Sequence, residues 1–282
     1  MTLLTWMRLA LLAGLCLLGT LTWGQPAATE KPYVPVRGQM GKDVMWIPTP
    51  KGLIDKMLTA ARVTSSDRVF DLGAGDGIIA ITAAREFGAH SVGIEFNPRM
   101  ADHARRMVQE AGVSDKVRII TGDIFQEDFS AATVVTLYLL PELNMQLRPT
   151  LLRMRPGTRV VSHAFSMGDW EPDETMAHEN ARGYLWVVPA AVEGEWMLTG
   201  MDGGPFRLSL RQALQKIGGS LTRGGISQPL LGARLRGQEL HFQFITPDRQ
   251  VRSFSGEVVG GQISGTISSS EGVMSIVQAR KL

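Results

Sequence analysis

Cysteine is almost missing from these 282 residues. Cys16 stands alone, so neither an intrachain disulfide nor a thiolate cluster for zinc or iron-sulfur can form. The five histidines, His90, His103, His163, His178 and His241, lack the close i, i+4 or H-x-H spacing of a preformed metal site, so no metal is expected. An excess of one charge is missing too. Lys+Arg 29 against Asp+Glu 27 leaves a formal charge of +2, which supplies no long-range field for nucleic acid, and none is expected as partner. With 44% hydrophobic and 20% charged residues and a mean hydropathy of +0.02, wholesale disorder and a polytopic membrane protein are both poor readings. The bulk should fold in water, with room for an enzyme-sized core.

One long apolar run is present, from Leu9 to Trp23. Arg8 precedes it and the polar stretch from Gln25 to Glu30 follows, the layout of a secretory signal ending near Gly24. The run is shorter than the roughly 20 residues a helix needs to cross a bilayer, which favours export and cleavage. Lys31, Arg37 and Lys42 beyond it, against Arg8 before it, favour instead a cytoplasmic body behind an uncleaved, membrane-associated anchor.

The remainder divides by texture into a domain over 25–190 and a glycine-rich β domain over 191–282. From Arg68 to Ala164, short β-rich apolar runs alternate with helical patterns, as in a mostly parallel sheet with helices on both faces. The expected strands are Val69–Asp71, Ser91–Ile94, Val117–Ile120, Val134–Tyr138 and Arg159–Ser162. One helix runs from Ile78 to Phe87 and stops at Gly88, and another opens with Asn97 as cap and Pro98 at its first position and stops at Gly112. After about Ala190 alternation takes over, as in Leu240-His241-Phe242-Gln243-Phe244, with one helical candidate at Arg211 to Ile217. Gly232 to Gln238 and Gly256 to Gln262 share a G-x-x-aliphatic-x-G-Q frame that reads as a degenerate hairpin repeat.

The chemistry is carried by Asp71-Leu72-Gly73-Ala74-Gly75-Asp76-Gly77, placed between a strand and a helix. Its glycines allow a tight turn and a close approach of backbone N–H groups to a ligand. The third glycine of a dinucleotide loop would fall on Ile78, and an acid stands two residues before Gly73, so the loop is D-x-G-x-G-x-G instead. Glu95 ends the next strand, where its carboxylate can accept both hydroxyls of a ribose, and Gly122-Asp123 ends the third, where a carboxylate can meet an adenine amino group. All three acids fall at the carboxyl ends of neighbouring strands, where open α/β sheets bind ligands.

These elements in this order resemble a class I S-adenosylmethionine-dependent methyltransferase. With Trp46-Ile47-Pro48-Thr49-Pro50 upstream and Leu137-Tyr138-Leu139-Leu140-Pro141 downstream, the chain is similar to the ATP synthase c subunit lysine N-methyltransferase family and its bacterial relatives. The resemblance covers about residues 40 to 190 and implies a Rossmann-like fold and S-adenosyl-L-methionine as cofactor. Gly73 and Gly75 would contact its methionine portion, Glu95 the ribose and Asp123 the adenine, with Asp71 orienting the loop and the methionine amine. Thr49 is either a helix cap or a lid residue touching cofactor, and Tyr138 is the candidate catalytic residue, lining a desolvated channel for the acceptor. A protein lysine is the expected acceptor. The alternatives are a small-molecule methyl acceptor and an exported binding module that keeps the fold without turnover.

Overall fold

The computed structural model describes residues 33–246 and 249–282, and the apolar run with Cys16 lies outside them. Two sheets organise the described residues. The first holds seven strands in the order β3-β2-β1-β4-β5-β7-β6. These are β1 (Arg68–Leu72), β2 (His90–Glu95), β3 (Val117–Thr121), β4 (Val134–Leu137), β5 (Arg159–His163), β6 (Glu174–His178) and β7 (Ala181–Val187). β1 to β5 are mutually parallel, and β7 runs antiparallel between β5 and β6.

Alternation along β1 sorts its side chains onto two faces. Val69, with Val134 and Val161 from β4 and β5, packs against Leu53, Ile54, Met57 and Leu58 of α1 (Lys51–Ala60) and Ile79 and Ala83 of α2 (Ile78–Phe87). α3 (Pro98–Glu110) covers the same face farther out, through Ala101, Ala104 and Val108 on Val117 and Ile119. Phe70, Leu72, Val135 and Val160 point the other way, beneath Leu147 and Leu151 of α4 (Pro141–Leu151) and beneath Trp170 and Trp186. The helix signals act as expected. Asn97 Oδ1 accepts from the amides of Arg99 and Met100, and Gly88 ends α2 in the left-handed region at φ 74°. The fourth strand stops one residue short of the expected Tyr138.

The second sheet comprises β8 (Gly194–Thr199), β9 (Phe206–Ala213), β10 (Lys216–Arg223), β11 (Ile226–Pro229), β12 (Leu231–Arg236), β13 (Glu239–Ile245), β14 (Val251–Val259), β15 (Gln262–Ser269) and β16 (Gly272–Lys281). Each pairs antiparallel with its neighbour, and β16 returns to pair with β8. β11 pairs with β10 and β12 with β13, while the intervening Leu230 donates its amide to Gly219 of β10. The nine strands therefore make eight staves, β11 and β12 forming one, and the sheet closes into an up-and-down barrel. Trp196, Leu208, Leu240, Phe242, Phe244, Phe254 and Ile267 fill it. A Cβ on Gly256 or Gly265 would meet the backbone oxygen of Ser264 or Ser255 on the facing strand and would stand 2.6 or 2.9 Å from the Phe254 ring, so these glycines let two strands and an aromatic ring close on one another.

The helix expected at Arg211 to Ile217 is instead the β9–β10 hairpin. Phe206, Leu208 and Leu210 bury every second residue along β9, and Leu214 turns the chain at φ 58°. The repeat frame holds only at its turn end: Gly237 and Gly261 both adopt positive φ in hairpin turns, whereas Gly232 lies at the β12 irregularity and Gly256 inside the barrel.

The barrel docks on the first sheet at the end where β5 begins. Ala190 donates its amide to Gly237, which packs on Gly157 and Val187, and Lys216 pairs with Glu171 at 2.6 Å. The carboxyl ends of β1 to β4 point the other way and stay clear of it.

Candidate cofactor and acceptor site

At those carboxyl ends lies a crevice of about 360 Å³ whose walls come from residues between Gln39 and Phe165. Its floor is the glycine loop. Gly73, Gly75 and Gly77 all sit at positive φ, at 79°, 57° and 79°, and the amides of Gly73 and Ala74 both donate to Ile94 of β2 at 2.9 Å. The bend is thereby held against the neighbouring strand, with its backbone presented to the crevice.

Asp71 is 2% exposed. Its Oδ1 accepts from Thr136 Oγ1 at 2.6 Å, and its Oδ2 is buried without a partner. Burial pushes its carboxyl up to about 7, against the pull of the Thr136 hydroxyl, and the carboxylates of Asp76 and Glu95 add to the rise.

Glu95 bridges two segments. Oε2 accepts from the Gly75 amide and Oε1 from the Asn97 amide, each at 2.9 Å. Desolvation raises its carboxyl and these backbone bonds oppose the rise. Glu95 lines the crevice and each oxygen retains acceptor capacity, so the carboxylate can accept a pair of vicinal hydroxyls while it fixes the glycine loop.

Asp123 is more fully engaged. Oδ1 accepts from Phe125 N and Oδ2 from Lys42 Nζ, both at 2.9 Å, and these two contacts hold its carboxyl below the usual range. Lys42 also stands 4.5 Å from the centre of the Phe96 ring, which is half exposed at the crevice rim. It belongs to a hairpin in which Gly38 and Trp46 are tied by backbone bonds, as are Gly41 and Val44. From this hairpin the Trp46 indole lies against the glycine loop, 2.6 Å from where a Cβ on Gly75 would be. The sequence gives no signal for the contacts of Lys42 and Phe96. They join segments far apart in the chain, which local pattern does not connect.

Thr49 and Tyr138 lie together at the other end of the crevice. Pro50 is the N-cap of α1 and no side chain caps it, so Thr49 is not a helix cap. Its Oγ1 lies 3.0 Å from His163 Nδ1 instead. The His163 ring stacks on Tyr138 with centroids 3.8 Å apart, and Phe165 lies beyond at 6.5 Å. Burial lowers the His163 imidazole to about 4, so it is neutral at physiological pH, and burial raises the Tyr138 phenol. Asp71, Gly73, Gly75, Glu95, Asp123, Thr49 and Tyr138 thus all line one crevice.

The residues fit an adenosyl sulfonium with an amino-acid tail. The orphaned Asp71 Oδ2 lacks a donor that an ammonium group would provide, the loop leaves no space for side chains at Gly75, and Glu95 can take a ribose.

Comparison with known proteins agrees with this geometry. Residues 71–174 match the ANTKMT methyltransferase domain. A protein of Saccharolobus islandicus named protein-lysine N-methyltransferase is 41% identical over 151 residues, which take in 51% of this chain and 94% of that protein. The lysine N-methyltransferase of Mus musculus that is named for the ATP synthase c subunit is 34% identical over 106 residues, 37% of this chain and 42% of the mouse protein. Among solved structures, an RNA methyltransferase from Salinibacter ruber in complex with S-adenosyl-L-homocysteine is 50% identical, with a TM-score of 0.51 over 52% of this chain and 96% of that one.

Proposed function

This chain belongs to the S-adenosylmethionine-dependent methyltransferases, and on that premise we propose that the group it methylates is a lysine amine of a protein. The observation that carries the acceptor is the open end of the crevice. Among the described residues the barrel, which docks where β5 begins, contributes no wall to the crevice, which leaves the Tyr138 side to a macromolecular segment. The name of the 41% identical Saccharolobus islandicus relative points the same way.

S-adenosylmethionine supplies a methyl group on a sulfonium, a leaving group that asks no acid of the protein. Asp71 and the glycine loop hold the amino-acid end, Glu95 the ribose, and Asp123 with Phe96 the adenine. What the chain must still do is align the acceptor and strip its proton. Tyr138 and Phe165 form an aromatic, poorly solvated wall, backed by neutral His163 behind Tyr138, that favours the uncharged amine of an entering lysine.

Incubation of the full chain with S-adenosylmethionine and candidate proteins, followed by peptide mass spectrometry, should show 14 Da increments (~ one CH₂ each, the unit of methylation) on lysine. Transfer to RNA or to small metabolites alone would overturn the lysine assignment; RNA is the pertinent rival because the Salinibacter relative carries that name. We also propose that the segment up to Gly24 takes the protein to a membrane. A reporter fused after Leu282 separates export from cytoplasmic retention, and a periplasmic body without bound nucleoside would count against turnover.

A further inference from the structure

A second cavity, of about 540 Å³, opens on the far side of Tyr138 and shares Ile47, Pro48 and Tyr138 with the first. Its walls are β5's end at His163, the β6–β7 turn from His178 to Arg182, the start of α1 at Pro50, and Arg37. Three features of it are unspent. Arg37 and Arg182 are exposed and form no ion pair among the described residues, against one acid on the wall, Glu179. The N-terminus of the ten-residue α1 has no side-chain cap and no acid in its first turn, and while the Leu53 and Ile54 amides donate to Pro50, those of Lys51 and Gly52 and the positive end of the helix dipole are unanswered among the described residues. His163 is only 5% exposed, with Nδ1 taken by Thr49 and Nε2 without a hydrogen-bond partner among the described residues.

We propose that this cavity is a recognition subsite for the acceptor segment, in which Arg37, Arg182 and the α1 N-terminus bind a carboxylate that flanks the target lysine. The inference rests on the lysine reading above. A lysine side chain passing Tyr138 brings its neighbouring residues over this cavity, and the cations there would repel a segment made basic throughout. A flanking Asp or Glu meets two guanidinium forks and free amides, donors whose geometry suits a carboxylate. Nε2 of His163, on the wall of this cavity beside Tyr138, is left to accept a hydrogen bond from the bound segment.

The test uses the full chain, S-adenosylmethionine and two peptides that differ only in an Asp or an Asn beside one lysine. The Asp peptide should be methylated with a kcat/KM about tenfold higher, the effect of one charge-assisted contact, and the difference should lie in KM. In Arg37→Gln/Arg182→Gln the ratio of the two peptides should fall to about one, the change expected when a discriminating ion pair is gone. Circular dichroism melts establish that the variant is folded, and Arg182→Gln alone, tested in parallel, should give an intermediate ratio. Equal rates in the unmodified protein, or a preference that survives the double substitution, would overturn the subsite and leave the lysine reading standing. No methylation of either peptide, with an RNA oligonucleotide methylated instead, would overturn both.

Discussion

Glu95 serves two ends at once, which makes its removal informative. Glu95→Ala deletes the proposed ribose acceptor and frees the amides of Gly75 and Asn97, so affinity for S-adenosylhomocysteine in calorimetric titration should fall by at least about tenfold. Undiminished affinity would remove Glu95 from the site. Asp71 predicts a pH effect of definite sign. Its carboxyl titrates near 7 in the folded chain against 3.8 as the ordinary value, so between those limits the folded state holds the extra proton and stability falls as pH rises. The full loss, on the order of 4 kcal/mol, is reached above pH 7. Asp71→Asn keeps an acceptor for Thr136 and should flatten the melting curve between pH 4 and 7, while weakening cofactor binding above pH 7, where the ionised acid is the better partner for an ammonium. His163 works in the opposite sense: burial holds it neutral, so its contribution is lost as pH falls from 6.5 toward 4. Much of this residue-level chemistry is legible in sequence, because the D-x-G-x-G-x-G spacing, Glu95 and Asp123 each sit at a strand end that local pattern identifies. The pairing of Thr49 with His163 and of Lys42 with Asp123 is not, because local periodicity carries nothing about partners 114 and 81 positions apart.

At the scale of elements, the first sheet follows from pattern: β1 to β5 and helices α2 and α3 lie where apolar runs, Asn97, Gly88 and Gly112 place them. The barrel is legible only as alternation. Closure depends on β16 finding β8 and on Leu230 joining two short strands into one stave, and neither contact leaves a local trace. The Arg211 to Ile217 segment shows the cost of judging a short stretch alone: its spacing suits a helix, but burial of Leu208 and Leu210 inside the barrel decides for strand. The interior glycines give the prediction at this scale. Gly265→Val sets a branched side chain against the Ser255 carbonyl and the Gly256 Cα of the facing strand before it reaches the Phe254 ring, so it should lower stability by about 1–3 kcal/mol in urea titration, and Phe254→Leu should not restore the loss in the double variant. Recovery of stability in the double variant would show that the ring, and not the facing backbone, sets the limit.

Across the whole molecule, cofactor chemistry and barrel occupy opposite ends of the first sheet. Residues 25–190 produced alone should therefore bind S-adenosylhomocysteine within about threefold of the full chain, as expected for sites without shared partners. They should also melt at lower temperature, because Leu214 of the β9–β10 turn packs into the cluster around Trp170 and Trp186 and its loss exposes that cluster. A larger loss of affinity would place the barrel in the cofactor site.

The pairing of β16 with β8 also sets an order of events during synthesis. Every strand of the seven-stranded sheet has left the ribosome before the first stave does, while that stave must wait for some eighty residues more, several seconds at roughly 5–20 residues per second. Through that interval the nascent barrel carries an open edge and uncovered aromatic side chains, so a chaperone or a slow codon is most consequential for this protein late in translation, after its methyltransferase half is already folded.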